Sequence, residues 1–463
     1  MAAPDLTELL GDDSVVLALG RAFNERGHEL YLVGGVVRDT LLGRRAATPD
    51  LDLATDAEPD TTRAIVEPRA AAVWLQGIEY GTVGAEIDGV RFEITTFRTE
   101  RYQPSSRHPD VTFTADIKTD LARRDFTVNA IAVRLPDKHP IDPFGGVKDI
   151  GARLIRTPVD PRDSFSDDPL RMLRAFRFAS QLDFKVHEET LAAIGEMHEQ
   201  IENISAERIR DELVKLLVGK APARALDQAE AIGLTEHFLP ELSALKLEQD
   251  PVHKHKDVFH HTLAVLERTD PEPELRLAAL LHDVGKPRTR KITPEGVTFH
   301  HHEVLGAKMA ADRLRALHFD SDTVKTVSEL IKLHHRFHTY RLGWTDSAIR
   351  RYVRDAGPLL GDLNRLVRAD CTTRNPDKAR RLARRMDELE ERITDLAARE
   401  ELARIRPDLD GNEVMEHLGV APGPVVGEAL AFLLEIRLEE GPLPKEEAYR
   451  RLDAWAAERG ITE

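Results

Sequence analysis

An α+β fold is predicted by two features of the sequence. Strand-like apolar runs are confined to about the first 150 residues, and the remainder of the chain reads as helix. A third observation divides the helical remainder. Of 19 histidines, 12 fall between His253 and His338, which marks a separate compositional unit. At 463 residues the chain exceeds one ordinary core, so about three domains are expected.

Composition narrows the class. Charged residues make up 32% and no run of 18 apolar residues occurs, so no membrane span is expected. The first residues, MAAPDLTELLGDD, lack the basic and apolar regions of a signal peptide, and the single cysteine, Cys371, cannot form an intramolecular disulfide. Together these point to the cytoplasm. A net charge of −16 argues against a general nucleic-acid coat, whose affinity comes from neutralising phosphates.

Taken in order, residues 1 to about 30 read as a helix, with Val15, Val16, Leu19 and Phe23 on one face before Gly27. The apolar run Tyr31-Leu32-Val33 then ends at Gly34-Gly35, and a helix-compatible segment comes next with Arg38 in its first turn. Glycine permits close backbone approach, so this is a seat for a phosphate. Asp50-Leu51-Asp52-Leu53 alternates with the period of a half-buried strand, which sends both carboxylates to one face. Such a pair can grip Mg²⁺, polarise a triphosphate and activate an attacking hydroxyl.

Thr61 to Val66 reads as helix, and two strand-like runs meet at Asp88-Gly89, a hairpin signal. Glu93 on the second run is a candidate third carboxylate beside Asp50 and Asp52. Arg98 to Thr119 reads as a polar loop. In the segment after it, Arg124 offers a planar fork for a phosphate, while Asp125 and Asn129 can hold sugar hydroxyls or orient that arginine.

From about residue 150 no further strands are expected. A helix begins with Asp168 as N-cap and Pro169 in its first turn. A spacing of three aligns Asp168, Arg171, Arg174 and Arg177 along one side, leaving Leu170, Leu173, Phe176 and Phe178 for apolar contacts. One acceptor with several rigid donors suits reading a base edge and holding phosphates. Residues 185 to 245 continue as helices, with Gly233 at a helix end. Imidazole and carboxylate groups on several helices of the later bundle can converge on a divalent metal. Between Arg374 and Arg385 lie Arg374, Lys378, Arg380, Arg381, Arg384 and Arg385 against one acidic residue, a candidate RNA footprint on an acidic protein. A charged helix and the segments around Leu409 and Gly423-Pro424 lead to a final helix.

The stretches VGGVVRDTLLGRRAATPDLDLAT (residues 33 to 55) and RRDFTVNA (residues 123 to 130) resemble class II CCA-adding enzymes and bacterial poly(A) polymerases, of the DNA polymerase β superfamily. That resemblance implies a polymerase-β-like palm of mixed sheet and helices, followed by an all-α neck, a helical HD domain and a helical tail. Asp50 and Asp52 would hold Mg²⁺, Gly35 and Arg38 the triphosphate, and Arg124 the nucleotide. Asp167 to Arg171 resembles the family's Glu-Asp-x-x-Arg motif, with Asp167 in place of the usual Glu. By it, Asp168 and Arg171 would pair with the Watson–Crick edge of incoming CTP or ATP, with Arg174 and Arg177 nearby.

His282-Asp283-Val284-Gly285-Lys286 resembles the HD phosphohydrolase superfamily. The likeness implies a primary metal site of His261, His282, Asp283 and Asp370. His302 and His334 are candidates for a second metal, with their neighbours His301 and His335 as alternatives. Mn²⁺, Ni²⁺ or a similar ion, or Mg²⁺, would activate a water for phosphodiester or phosphomonoester hydrolysis. Gly423-Pro-x-x-Gly427 resembles the family's closing segment, which often engages tRNA.

The resemblance therefore implies a CCA tRNA nucleotidyltransferase, whose partners are a tRNA 3′ end, CTP and ATP. A poly(A) polymerase, a partial CC- or A-adding enzyme, and a protein that is primarily an HD phosphohydrolase are the alternatives. The expected domains are a palm over 1–150, a nucleotide-selecting and neck region over 151–250, an HD domain over 251–373 and a tRNA-contacting tail over 374–463. Oligomeric state has no signature in the sequence.

Overall fold

The computed structural model describes residues 10–11, 14–44, 50–101, 110–246, 258–293, 296–339, 344–371, 376–402 and 405–461. Arg374, and the side chain of Lys378, lie outside the described residues. The chain divides into two units, Met1–Ser243 and Ala244–Glu463.

The first unit is built on a seven-stranded mixed sheet. Its order is Ala72–Trp74, Thr82–Ile87, Val90–Thr96, Leu51–Thr55, Leu30–Val33, Ala132–Leu135 and His139–Ile141. Leu30–Val33 lies inside the sheet, antiparallel to both neighbours, and all four of its residues are buried. Leu51–Thr55 pairs with it on one side and runs parallel to Val90–Thr96 on the other. On one face Tyr31, Val33, Ala54, Phe97, Leu121, Ala130 and Ala132 form a core cluster. Asp88 and Gly89 both take positive φ, 51° and 77°, and close the hairpin expected there.

Two expectations fail here. The segment read as a polar loop contains the strand pair Arg98–Arg101 with Asp110–Phe113 and a helix, Ile117–Ala122, capped by Asp116. Arg98-Thr99-Glu100-Arg101 carries no apolar residue to reveal a period, and its partner Asp110-Val111-Thr112-Phe113 alternates over only four residues. Strands also recur beyond residue 150: Leu154–Ile155 pairs in parallel with Lys185–Val186, and Lys291–Thr293 with Gly296–Thr298 in antiparallel. Pieces of two or three residues are too short to show a period.

The rest of the first unit is helical. Helix Leu170–Leu182 packs on Ala206–Leu217, and Glu188–Met197, Pro222–Ala231 and short turns complete it. In the second unit Val258–Arg268, Pro273–Leu281, His302–Ala316, Ser321–Leu333 and Leu360–Asp370 form a bundle. A long helix, Pro376–Arg399, precedes a group of three, Gly411–Leu418, Pro424–Glu440 and Lys445–Glu458, closed around Val414, Leu433, Leu452 and Trp455. The chain thus ends in two helices after Gly423 where one was expected, divided at Gly441-Pro442.

Candidate active site

The sheet order brings the first candidate residues together. Leu30–Val33 and Leu51–Thr55 are antiparallel, so the end of one strand meets the start of the other, and Gly34 comes beside Asp52. A Cβ on Gly34 would stand 3.3 Å from Arg124 Nη1 and 3.4 Å from Asp52 Oδ2, at a φ of +75° that L residues rarely adopt. Asp52 is exposed between buried Leu51 and Leu53. Glu93 is its register partner on the adjacent parallel strand, so the two carboxylates emerge on one face. Asp50 is exposed just before the strand. Although its edge reaches solvent, the protein crowded around the Asp52 carboxyl strips water from it and raises it, and the negative charges of Glu93 and Asp50 add to this against the opposing pull of Arg124. Crowded like charges of this kind are relieved by a cation.

Asp52, Gly34 and Arg124 open into a cavity of about 490 Å³ that is also lined by Arg38, Arg123, Asn129, Arg171, Arg177, Phe178 and Arg208, whereas Asp50 and Glu93 are not among its lining residues. Its arginines are held by a continuous polar line. Arg38 Nη1 donates to Asn129 Oδ1 at 2.6 Å, and Asn129 Nδ2 donates to Asp125 Oδ1 at 2.9 Å. Arg174 Nη2 donates to Asp125 Oδ2 at 2.6 Å and its Nη1 to Glu212 Oε1 at 3.2 Å. Arg177 Nε then lies 2.7 Å from Glu212 Oε2. Asp125 and Asn129 therefore orient Arg38 and Arg174 rather than Arg124. Arg124 is held instead by Asp120, with Nη2 donating to Oδ2 at 3.3 Å.

Charge in this line is strongly biased. Burial would raise Asp125, but the Arg174 charge and the Asn129 and Arg174 hydrogen bonds outweigh it and hold the carboxyl at about 2. Burial likewise opposes ionisation of Asp120, yet Arg123 and Arg124 keep it below the usual range. Arg177 is pushed down to about 10 by burial and by the neighbouring Arg174 charge. Its guanidinium sits 3.7 Å from the ring centroid of Phe178. Phe178, read as an apolar contact, also faces the cavity with its ring, where Arg38 lies 5.3 Å from the same centroid.

The predicted selecting helix, Leu170–Leu182, starts one residue later than expected, with Pro169 rather than Asp168 at its N-cap. Asp168 is extended and its Oδ1 accepts the Leu170 N–H at 3.1 Å, with Pro169 opening the turn. Asp168 Oδ2 accepts from Arg208 at 2.8 Å. Arg171 donates to Ser164 Oγ at 2.9 Å and to the Arg123 carbonyl at 2.6 Å, so its fork is fixed by a hydroxyl and by backbone. Asp120, Arg208 and Glu212 were missed in the sequence. Only Asp120 carries a local signal, its spacing of four from Arg124; Arg208 and Glu212 meet their partners, Asp168 and Arg174 with Arg177, across the fold.

The second unit gathers the other candidates. His261 Nε2 lies 2.9 Å from Asp370 Oδ1, and His282 Nε2 is 3.2 Å from Asp283 Oδ2 and 3.7 Å from Asp370 Oδ1. His302 Nε2 is 3.6 Å from Asp283 Oδ1, and Asp283, His302 and His334 form a wholly buried group within metal-binding reach. His282, His302 and His334 each turn Nδ1 to the carbonyl three residues earlier, at 2.8, 2.8 and 2.5 Å. Each thereby presents Nε2 to the centre. Among the described residues, His282 Nε2 and Asp283 Oδ1 are buried without a hydrogen-bond partner. Two orphaned lone-pair atoms on adjacent residues fit a metal ion.

Burial pushes His334 down to about 3, so its imidazole is neutral. The pairs left open in the sequence separate: His301 has a φ of +62° and is exposed, whereas His302 is buried. His335 lies at the rim, its ring 5.0 Å from that of His302. Sequence reasoning missed His338, 3.3 Å from Asp370 Oδ2, and gave no role to Lys286, whose Nζ donates to Asp283 Oδ2 at 2.6 Å. A Cβ on Gly285 would fall 2.2 Å from the His302 carbonyl, so only glycine lets that helix start approach.

On helix Pro376–Arg399, Arg380 pairs with Asp377, and Arg385 lies 5.2 Å from the Phe337 ring centroid. Arg381 and Arg384 are exposed.

Three families match the chain: "Poly A polymerase head domain" over residues 30–156, "Probable RNA and SrmB- binding site of polymerase A" over 183–246, and "HD domain" over 258–401. The A-adding tRNA nucleotidyltransferase of Deinococcus radiodurans is 35% identical over 443 residues, 92% of this chain and 95% of that protein. The CCA-adding enzyme of Enterococcus faecalis is 47% identical over 200 residues, but this covers 43% of the chain and 48% of that enzyme. Among solved structures, Bacillus stearothermophilus CCA-adding enzyme in complex with CTP matches at a TM-score of 0.67 and 28% identity, over 99% of both chains. Thermotoga maritima CCA-adding enzyme complexed with tRNA_CCA shares the fold, at a TM-score of 0.54 and 21% identity over 97% of this chain and 98% of that one.

Proposed function

Because the chain belongs to the tRNA nucleotidyltransferase and bacterial poly(A) polymerase family with an HD domain, we propose that it adds C, C and A to tRNA 3′ ends. CTP and ATP are the donors and no nucleic-acid template is needed. The observation that carries this reading is the convergence of Gly34, Asp52, Arg124 and the helix residues Asp168 to Arg177 on one cavity.

Asp50 and Asp52, with Glu93 beside them, would hold Mg²⁺, which when bound neutralises triphosphate charge and favours ionisation of the attacking hydroxyl. Gly34 and Gly35 leave room for phosphate oxygens, and Arg38 and Arg124 offer them donors. Asp168 and Arg171 take the base edge as an acceptor and a donor fork. The tRNA 3′-hydroxyl attacks the α-phosphorus, the bond to the β-phosphate oxygen breaks, and pyrophosphate leaves. We assign these steps to residues 1–150 and 151–250, and place the protein in the cytoplasm; no helix among the described residues is long and apolar enough to cross a membrane.

Residues 251–373 are proposed as a metal-dependent phosphohydrolase using His261, His282, Asp283 and Asp370, with His302 and His334 at a second ion. Mn²⁺, Ni²⁺ or Mg²⁺ suits these donors. In the tail, 374–463, the exposed Arg381 and Arg384 are proposed to meet tRNA.

A second reading, addition of the terminal A alone, is favoured by the name of the Deinococcus relative, which matches over nearly its full length. Sequencing 3′ ends made on tRNA lacking CCA and on tRNA ending in CC, with CTP, ATP or both, separates the two. Complete CCA on the first substrate supports the proposal. Extension only of the second by A overturns it in favour of the alternative.

A further inference from the structure

Two histidines outside both sites face each other in the helical part of the first unit. His198 follows helix Glu188–Met197, and His237 closes the short turn Thr235–His237 with Glu236 beside it. His198 Nδ1 and His237 Nε2 are 2.7 Å apart. The turn is firmly seated: Thr235 is fully buried and bonded to Glu230, and Leu234, Phe238 and Leu239 are buried on either side.

We propose that His198, Glu236 and His237 bind a borderline divalent transition metal such as Zn²⁺, Co²⁺ or Ni²⁺. The geometry is that of an oriented ligand set. His237 Nδ1 lies 2.7 Å from Glu202 Oε1, so this nitrogen carries the hydrogen and donates it. Nε2 is left as a lone pair aimed at His198, which is how a carboxylate behind a ligating histidine fixes its tautomer. Without metal, one proton bridges the two imidazoles. An ion replacing that proton needs the nitrogens at roughly 3.3 Å for tetrahedral bonds of about 2.0 Å, a small parting of the rings.

Glu236 supplies the third donor. Ligand atoms of the three residues all lie within 4.8 Å of one another. Two imidazoles and one carboxylate favour Zn²⁺, Co²⁺ or Ni²⁺ over Mg²⁺. Glu236 is exposed and both histidines are partly exposed, which leaves a fourth position for water. The bound ion would tie the segment after Glu188–Met197 to the turn at 235–237.

The test uses the full chain, stripped with chelator, with the histidine cluster of the second unit removed by His282→Ala and Asp283→Ala and with Mg²⁺ present to occupy the carboxylates. Co²⁺ is titrated and its visible tetrahedral absorption recorded. Retention of one bound equivalent, with affinity falling about tenfold or more in His198→Gln and again in His237→Gln, supports the site. No Co²⁺ bound at a tenfold excess (about 10 equivalents), or binding unchanged by both substitutions, overturns it. If the doubly substituted background does not fold, crystals of the unaltered chain soaked in Zn²⁺ decide by anomalous diffraction. A peak between His198 and His237 supports the proposal. Density at the other cluster with none there leaves a plain hydrogen-bonded pair and overturns it.

Discussion

Asp52 stands directly across from Glu93 on the neighbouring parallel strand, so the proposed catalytic carboxylate gains, beside Asp50, a second acidic neighbour from a different part of the sheet. Asp52→Ala is expected to abolish nucleotide incorporation while leaving tRNA binding intact. Glu93→Gln keeps the shape and removes one charge. It should lower kcat by about 10- to 100-fold and raise the Mg²⁺ concentration needed for half-maximal rate. Extension assays across a Mg²⁺ series check both, and wild-type turnover in Asp52→Ala would refute the assignment of the site.

Gly34→Ala tests the close approach at the strand end. The new Cβ would press on Arg124 and Asp52 and force an alanine into positive φ. A stability loss of about 1–3 kcal/mol is expected, with a raised KM for nucleotide. Chemical denaturation and initial-rate kinetics measure the two effects; an unchanged KM would show that phosphates do not come near this turn.

Asp125→Asn should destabilise the first unit in a pH-dependent way. The folded carboxyl titrates at about 2, below its ordinary 3.8, so its ionised form is favoured by folding. That contribution, roughly 2 kcal/mol, is fully present above pH 3.8 and disappears as pH falls through about 2. The gap in melting temperature between wild type and Asp125→Asn should therefore be wide at neutral pH and narrow toward pH 2. A gap independent of pH would mean that the carboxylate charge is not what Arg174 needs.

In the second unit, His334→Ala should eliminate Mn²⁺- or Ni²⁺-stimulated hydrolysis of 2′,3′-cyclic nucleotides and spare nucleotide incorporation. His301→Ala should leave that hydrolysis within about twofold of wild type, since its ring is exposed while His302 is buried. A loss in His301→Ala as large as that in His334→Ala would bring the exposed ring into the site and contradict its separation from His302.

Much of the fold was legible because its signals are local. The run Tyr31-Leu32-Val33, the Asp88-Gly89 turn and Asp168-Pro169 each carry their own chemistry in two or three adjacent residues. What escaped reading depends on pairing across the fold. Asp125 looks like a partner for its neighbour Arg124, yet it bonds Arg174, 49 positions away. Glu212 lies on a helix with no motif, and only packing shows that it joins Arg174 to Arg177. His301 and His302 are indistinguishable by type; the positive φ at His301 decides which ring turns inward.

The three histidines that turn Nδ1 to a carbonyl three residues back bear on how the proposed metal centre would be made. Each ring takes its bearing from its own stretch of main chain, not from the ion or from another side chain. The mould is therefore cast when the helices fold. An ion would meet these three rings already aimed, so the proposed cup can take and release ions of similar size without turning the three imidazoles.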